Sequence, residues 1–373
     1  VELTVAAGAA GFVLRVLLGI DLGGIVLVAE ADRGRLICCD FRAHRICRYD
    51  VKEAGAGYAP VEVEPLLSST NTAFRPVDVK MGPDGAVYVG STDGVLHAFN
   101  ADGSRRWPAI KLDASQDTSA AALGPDGTLY FGAGATVAGN DAKLFAHDSR
   151  TGAKKWEIIV GTGFNANNAV AIGADGTLYL HHEAATPAAS RLYAYADNGT
   201  SAALKWSVII PGSSYASPVV GPDGTVYLGS DDTATRHRFY AVNGATGAVK
   251  WSLPTDNAVY TSAAIDAAGH VYYGTLTSGR LYSATADGTQ RWVYTGGSVG
   301  TSSSPALSPD GTTVYFAGYD GKLHAVRTAD GTARWVFTLG KEVRASSPAV
   351  DARSEEHTSE LQSRVDISYA VFC

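Results

Sequence analysis

The stretch Ala216-Ser217-Pro218-Val219-Val220-Gly221-Pro222-Asp223-Gly224-Thr225-Val226-Tyr227-Leu228-Gly229 and its sequel Ala241-Val242-Asn243-Gly244-Ala245-Thr246-Gly247-Ala248-Val249-Lys250-Trp251 decide how this 373-residue chain folds. Small residues lead into a short apolar run. Gly-Pro-Asp-Gly follows, in which proline sets φ and the Asp-Gly pair accepts positive φ, so the run turns back as a hairpin. Val226-Tyr227-Leu228-Gly229 alternates with a period of two and reads as a strand. Two further turns lead to a last strand that carries a tryptophan.

The same order recurs along the chain. The turn reappears as Gly82-Pro83-Asp84-Gly85, Gly124-Pro125-Asp126-Gly127, Gly173-Ala174-Asp175-Gly176 and Ser308-Pro309-Asp310-Gly311. The opening run reappears as Ser303-Ser304-Pro305-Ala306-Leu307 and Ser346-Ser347-Pro348-Ala349-Val350. All six tryptophans, Trp107, Trp156, Trp206, Trp251, Trp292 and Trp335, close a unit, at spacings of 49, 50, 45, 41 and 43 residues. That period, with four short strands per unit, belongs to the blade of an all-β propeller, about 40–50 residues long. A blade cannot cover both of its faces alone, and stacking blades around an axis does so. Each tryptophan is expected to pack between blades. An indole buries about 150–250 Å² there, which at about 25 cal/mol per Å² is an upper bound of several kcal/mol.

The closing segment is specific enough to carry a resemblance. Ala146-His147-Asp148-Ser149-Arg150-Thr151-Gly152-Ala153-Lys154-Lys155-Trp156 resembles the tryptophan-docking motif of quinoprotein alcohol dehydrogenases, and residues 241–251 and 325–335 repeat it. Residues 72 to 352 thus resemble the pyrroloquinoline-quinone-like repeat family. The resemblance implies a propeller. It does not by itself imply catalysis, because the motif is structural and non-catalytic relatives share it, including the propeller lipoprotein of the bacterial outer-membrane assembly machinery. Gly24 to Glu30, Gly34 to Asp40 and Phe74 to Gly85 resemble instead the gluconolactonase and sorbosone-dehydrogenase type of propeller.

The expected organisation follows. Residues 1–23 are a poorly defined N-terminal segment. Residues 24–352 form the propeller: a divergent first blade (24–71) whose Pro/Glu/Ser-rich stretch from Ala54 to Asn71 is a long exit loop, six tryptophan blades (72–344), and the start of a further blade or a ring-closing strand (345–352). The total is seven blades, or eight if the last unit is completed. Residues 353–373 lack glycine and proline. The run Arg353 to Ser363 resembles a translated sequencing adapter, and the tail is read as non-native.

Composition narrows the function. The 42 glycines and 18 tyrosines fit short strands and tight turns. A net charge of −7 without a basic stripe argues against nucleic acid. The apolar run Ala6 to Gly24 is broken by Arg15 and Asp21 and is too short for a membrane span. Cys38-Cys39 invites comparison with the adjacent-cysteine disulfide of quinoprotein dehydrogenases. Neighbours on a strand point to opposite faces, however, so two ordinary thiols are the expectation. His181-His182 diverge for the same reason, and Asp231-Asp232 matches no calcium loop.

The polar residues that open the inner strands, Asn165, Asn168, Tyr215, Ser217, Ser262 and Ser303, are the candidate ligand- or partner-binding set at the channel mouth. They recur beside Asn167, Ser214, Thr261, Thr301 and Ser302. Small residues that merely fit a crowded axis are the competing account. No catalytic or metal residue is expected. The function expected is a monomeric, non-catalytic scaffold for a protein or a small polar ligand, in the periplasm, cell envelope or outside the cell, without a cofactor. The alternative is a fragment of a pyrroloquinoline quinone and calcium-dependent dehydrogenase. That enzyme would need a general base and a calcium site, and no segment matches the motifs that supply them.

Overall fold

A computed structural model describes residues 25–30, 35–40, 45–54, 57–68, 76–91, 93–112, 116–135, 141–162, 168–184, 186–212, 216–231, 237–297, 303–339 and 347–348. Among them, seven antiparallel sheets follow one another along the chain, six as four-stranded meanders and the third with an added short strand, Gln116–Thr118, paired with Thr128–Ala135. The fifth is typical: Val219–Val220, Thr225–Ser230, Arg238–Asn243 and Val249–Pro254, innermost to outermost. The fourth runs from Ala171–Ile172 through Leu178–His182 and Arg191–Asp197 to Ala202–Ile209. The sixth runs from Ala264–Ile265 to Gln290–Tyr294, and the seventh from Ala306–Leu307 to Ala333–Thr338. The fold is that of a β-propeller.

Period-2 alternation decides which blade each side chain meets. Val226 and Leu228 pack with Tyr179, Leu192 and Ala194 of the fourth blade. Tyr227, between them in sequence, packs with Val271 and Tyr273 of the sixth. Phe239 and Tyr273 stack with ring centres 3.8 Å apart.

The tryptophan strand is set by a repeated irregularity. Trp156, Trp206, Trp251, Trp292 and Trp335 lie opposite Ala146, Ala194, Ala241, Ser283 and Ala325, and each pairing is followed by a register shift. The small residue leaves room for the indole, and the bulge re-aims the strand.

The indoles of the second to sixth blades then reach the next blade. Trp107 Nε1 donates to the Ser149 carbonyl (3.2 Å), Trp206 to Gly244 (2.9 Å), Trp251 to Ala286 (2.8 Å) and Trp292 to Thr328 (3.0 Å). Trp156 donates instead to the Asp197 carboxylate (2.9 Å). The turns that receive Trp107, Trp206, Trp251 and Trp292 present a glycine at positive φ under the ring, whereas Gly199 in the turn that receives Trp156 has nothing within 4 Å of its Cβ position. At Gly247 (φ 75°) an added Cβ would come within 2.7 Å of Trp206, and at Gly152 (φ 75°) within 2.9 Å of Trp107. Glycine is needed there both for its φ and for the closeness of the indole.

A second device escaped sequence reading. The residue before the tryptophan folds back on the first turn of its own blade. Lys205 Nζ lies 3.2 Å from Asp175 and 2.7 Å from Thr177 Oγ1, and Lys250 repeats this on Asp223 and Thr225. Arg106 reaches Asp84 at 2.8 Å. The clasp ties the inner hairpin to the outer strand.

One expectation is corrected. Residues 57–68, read as part of a long exit loop, form a strand, Gly57–Ser68, paired with Arg45–Ala54. Pro60 and Pro65 are tolerated there because Gly57–Ser68 is the outermost strand of the first sheet, where a missing N–H breaks no second ladder. The tail 353–373 and the segment 1–23 lie outside the described residues.

Candidate functional site at the inner strands

Antiparallel meanders divide each blade into two ends. The Asp-Gly turns and the tryptophan docks share one end. The links between second and third strands, and those between blades, share the other. The inner strands open at this second end, and a hydrogen-bonded ladder crosses from blade to blade there. Ala169 N–H donates to Ser217 Oγ (3.0 Å), Ser217 N–H to Ser262 Oγ (3.0 Å), Ser262 N–H to Ser304 Oγ (3.0 Å) and Ser304 N–H to Ser347 Oγ (2.9 Å). Each of the four serines is half-buried. Each oxygen accepts once from the preceding blade and keeps its own proton to donate.

The candidate residues divide accordingly. Ser217 and Ser262 belong to the ladder. Ser303 does not: it is fully buried and accepts from Ala317 N–H of its own blade (3.3 Å). Its counterpart in the sixth blade, Thr261, bonds Gly274 of its own blade in the same way, accepting its N–H at 2.8 Å. Asn168 is buried. Asn165 and Tyr215 lie outside the described residues. Ser304 and Ser347 complete the ladder and were not singled out in the sequence. The signal that finds them is the register of Ser-Pro pairs: Ser217-Pro218, Ser304-Pro305 and Ser347-Pro348 align on the second serine, not the first.

Titratable groups at this end differ from blade to blade. Asp231 accepts from Tyr260 Oη (2.7 Å) and stands 3.0 Å from His237 Nδ1. In the seventh blade His324 is fully buried between Tyr294 Oη (3.1 Å from Nδ1) and Asp320 (3.3 Å from Nε2). Burial holds the His324 imidazole below the usual histidine range, although Asp320 pulls the other way. His181 and His182 face opposite sides of the fourth blade. His182 packs on Gly161 of the third blade, and His181 turns to the Ile210 carbonyl (3.4 Å). Desolvation lowers His181 to about 4.

A quinone gripped by calcium needs several converging oxygen ligands, carboxylates among them. Among the described residues, no group of three or more His, Cys, Asp or Glu side chains is placed to hold a metal ion. Among the described residues no helix is long and apolar enough to cross a membrane.

The family model described as outer membrane protein assembly factor BamB matches residues 22–252 and 188–355. The chain belongs to the PQQ-like repeat family of β-propellers. None of the curated proteins matches it. Among solved structures, this propeller resembles BamB from Moraxella catarrhalis, with a TM-score of 0.59 and 17% identity over 89% of each chain. It also resembles a europium-containing methanol dehydrogenase, with a TM-score of 0.64 and 12% identity over 88% of this chain and 81% of the other. At these identities the likeness is one of fold.

Proposed function

We propose that this PQQ-like propeller is a non-catalytic scaffold of the cell envelope that holds a protein segment, or a small polar ligand, at the mouth of its channel. The serine ladder carries the reading. Consecutive inner strands present neutral, half-buried hydroxyls whose protons remain to be donated, which suits peptide carbonyls or ligand oxygens and supplies neither a general base nor a cation site. The BamB-like family model supports a protein partner and an envelope location.

Photo-crosslinking tests it. A benzophenone amino acid replacing Ser217 or Ser262 is expected to capture one defined partner or ligand in envelope fractions, and one replacing Gly176 at the opposite end is not. Equal capture at both ends would reject the reading. The dehydrogenase alternative is tested on the same purified chain with pyrroloquinoline quinone and calcium. Bound quinone absorbance with dye-linked oxidation of an alcohol or sugar would establish the alternative and end the scaffold proposal.

A further inference from the structure

The first blade has no tryptophan, so it lacks the indole that the second to sixth blades use to reach their next neighbour. Its strands Arg35–Asp40 and Arg45–Ala54 pair antiparallel in a register that sets Cys38 opposite Cys47 and Cys39 opposite Ile46. Alternation then puts Cys38 and Cys47 on one face of the sheet and Cys39 on the other. Directly opposed residues of an antiparallel pair have Cα atoms about 4.5–5.5 Å apart, within the span of about 4.4–6.8 Å that a disulfide bridges.

We propose that Cys38 and Cys47 are an oxidation site that closes to a cross-strand disulfide and staples the second and third strands of the first blade. The adjacent pair Cys38-Cys39 is the obvious alternative, and the register opposes it, because those two residues occupy different faces. Closure is thiol–disulfide exchange with a small disulfide oxidant. One thiolate attacks a sulfur of the oxidant and expels a thiolate. The second cysteine then attacks the mixed disulfide, forms the intrachain S–S bond and expels the other thiolate. The protein loses two electrons and two protons, and the oxidant is reduced to two thiols.

The full chain, equilibrated with oxidised glutathione, alkylated and digested with trypsin without reduction, gives the test. Cleavage after Arg35, Arg42, Arg45 and Arg48 separates the peptide 36–42, with Cys38 and Cys39, from 46–48, with Cys47. The expected product is the two peptides joined through Cys38, lighter than their sum by two hydrogens, with Cys39 alkylated. The link is expected to persist in Cys39→Ser and to vanish in Cys47→Ser. A link through Cys39, a Cys38-Cys39 bond inside one peptide, a link to Cys373, or alkylation of all three blade thiols in the unmutated chain would each overturn the proposal. Because the oxidant is supplied in the tube, failure here leaves the scaffold and its envelope location standing.

Discussion

The two ends of the same blades are built on opposite principles. At the turn end the same devices recur: an indole on glycine in four docks, the Asp-Gly turn, and the lysine or arginine clasp. At the loop end the ladder of serines repeats, but the titratable groups do not. The fourth blade has a buried His181, the fifth an Asp231–His237 pair, the seventh a buried Tyr294–His324–Asp320 chain. The repeated end answers a packing problem that each blade shares. The unrepeated end is where one blade is free to differ from the next, so individuality of function is sought there.

The largest expected effect breaks the repeated end. Trp107 is buried and sits on Gly152, and Trp107→Ala should cost about 3–5 kcal/mol, read by urea unfolding. Two glycine substitutions sharpen the cause. Gly152 and Gly176 have φ of 75° and 79°, but a Cβ at Gly152 meets the Trp107 ring at 2.9 Å whereas one at Gly176 meets nothing within 4 Å. Gly176→Ala should therefore cost only the left-handed backbone penalty of about 1–2 kcal/mol, and Gly152→Ala at least about 1 kcal/mol more. Equal losses would show that φ, not the indole, is what the dock requires.

The next effect belongs to the loop end and to acid. His181 is fully buried and lowered to about 4 by desolvation, against 6.5 for the free group. The folded chain resists the proton that the unfolded chain accepts. His181 therefore has no pH effect above about 6.5, and stability falls as pH drops from there to about 4. The loss at pH 4 is on the order of 3 kcal/mol as an upper bound. His181→Leu should flatten the stability profile over that window. A profile as steep as that of the unmutated chain would place the acid sensitivity elsewhere.

How much of this the sequence disclosed follows from the kind of interaction. The blade, its turns and the tryptophan strand depend on local signals, Asp-Gly dipeptides and period-2 alternation, and these read directly. Gly57–Ser68 did not, because Pro60 and Pro65 signal a break unless the strand is known to be an edge, and edge position is a property of the whole sheet. The serine ladder was half legible. Ser217 and Ser262, singled out in the sequence, lie on it, whereas Ser303 was singled out and Ser304 lies on it, since only the register between blades separates a serine that bonds its own blade from one that receives the previous blade. Asp231 with Tyr260, and Tyr294 with His324, join residues 29 and 30 apart across two blades. Nothing in the spacing of either pair announces contact.

The smallest effect tests whether the clasp is as interchangeable as its repetition implies. Asp175 is held down to about 2, first by the Thr177 hydroxyl, then by the Thr177 N–H and by Lys205. Its carboxylate is mostly exposed, so solvent screens the Lys205 attraction, and the net contribution should be about 0.5–1 kcal/mol. The sign differs from that of His181. The folded carboxyl resists protonation, so its contribution is full above the ordinary value of 3.8 and is lost as pH falls through about 2. Asp175→Asn should then be slightly destabilised at pH 6 and indistinguishable from the unmutated chain near pH 2. The two pH windows do not overlap: the loop end weakens between about 6.5 and 4, and the turn end only below 3.8. A chain held at pH 4 should thus lose protection from hydrogen exchange at the second-to-third-strand link of the fourth blade while its Asp-Gly turn stays protected, and the reverse order would show that the clasp, not the buried histidine, limits the blade in acid.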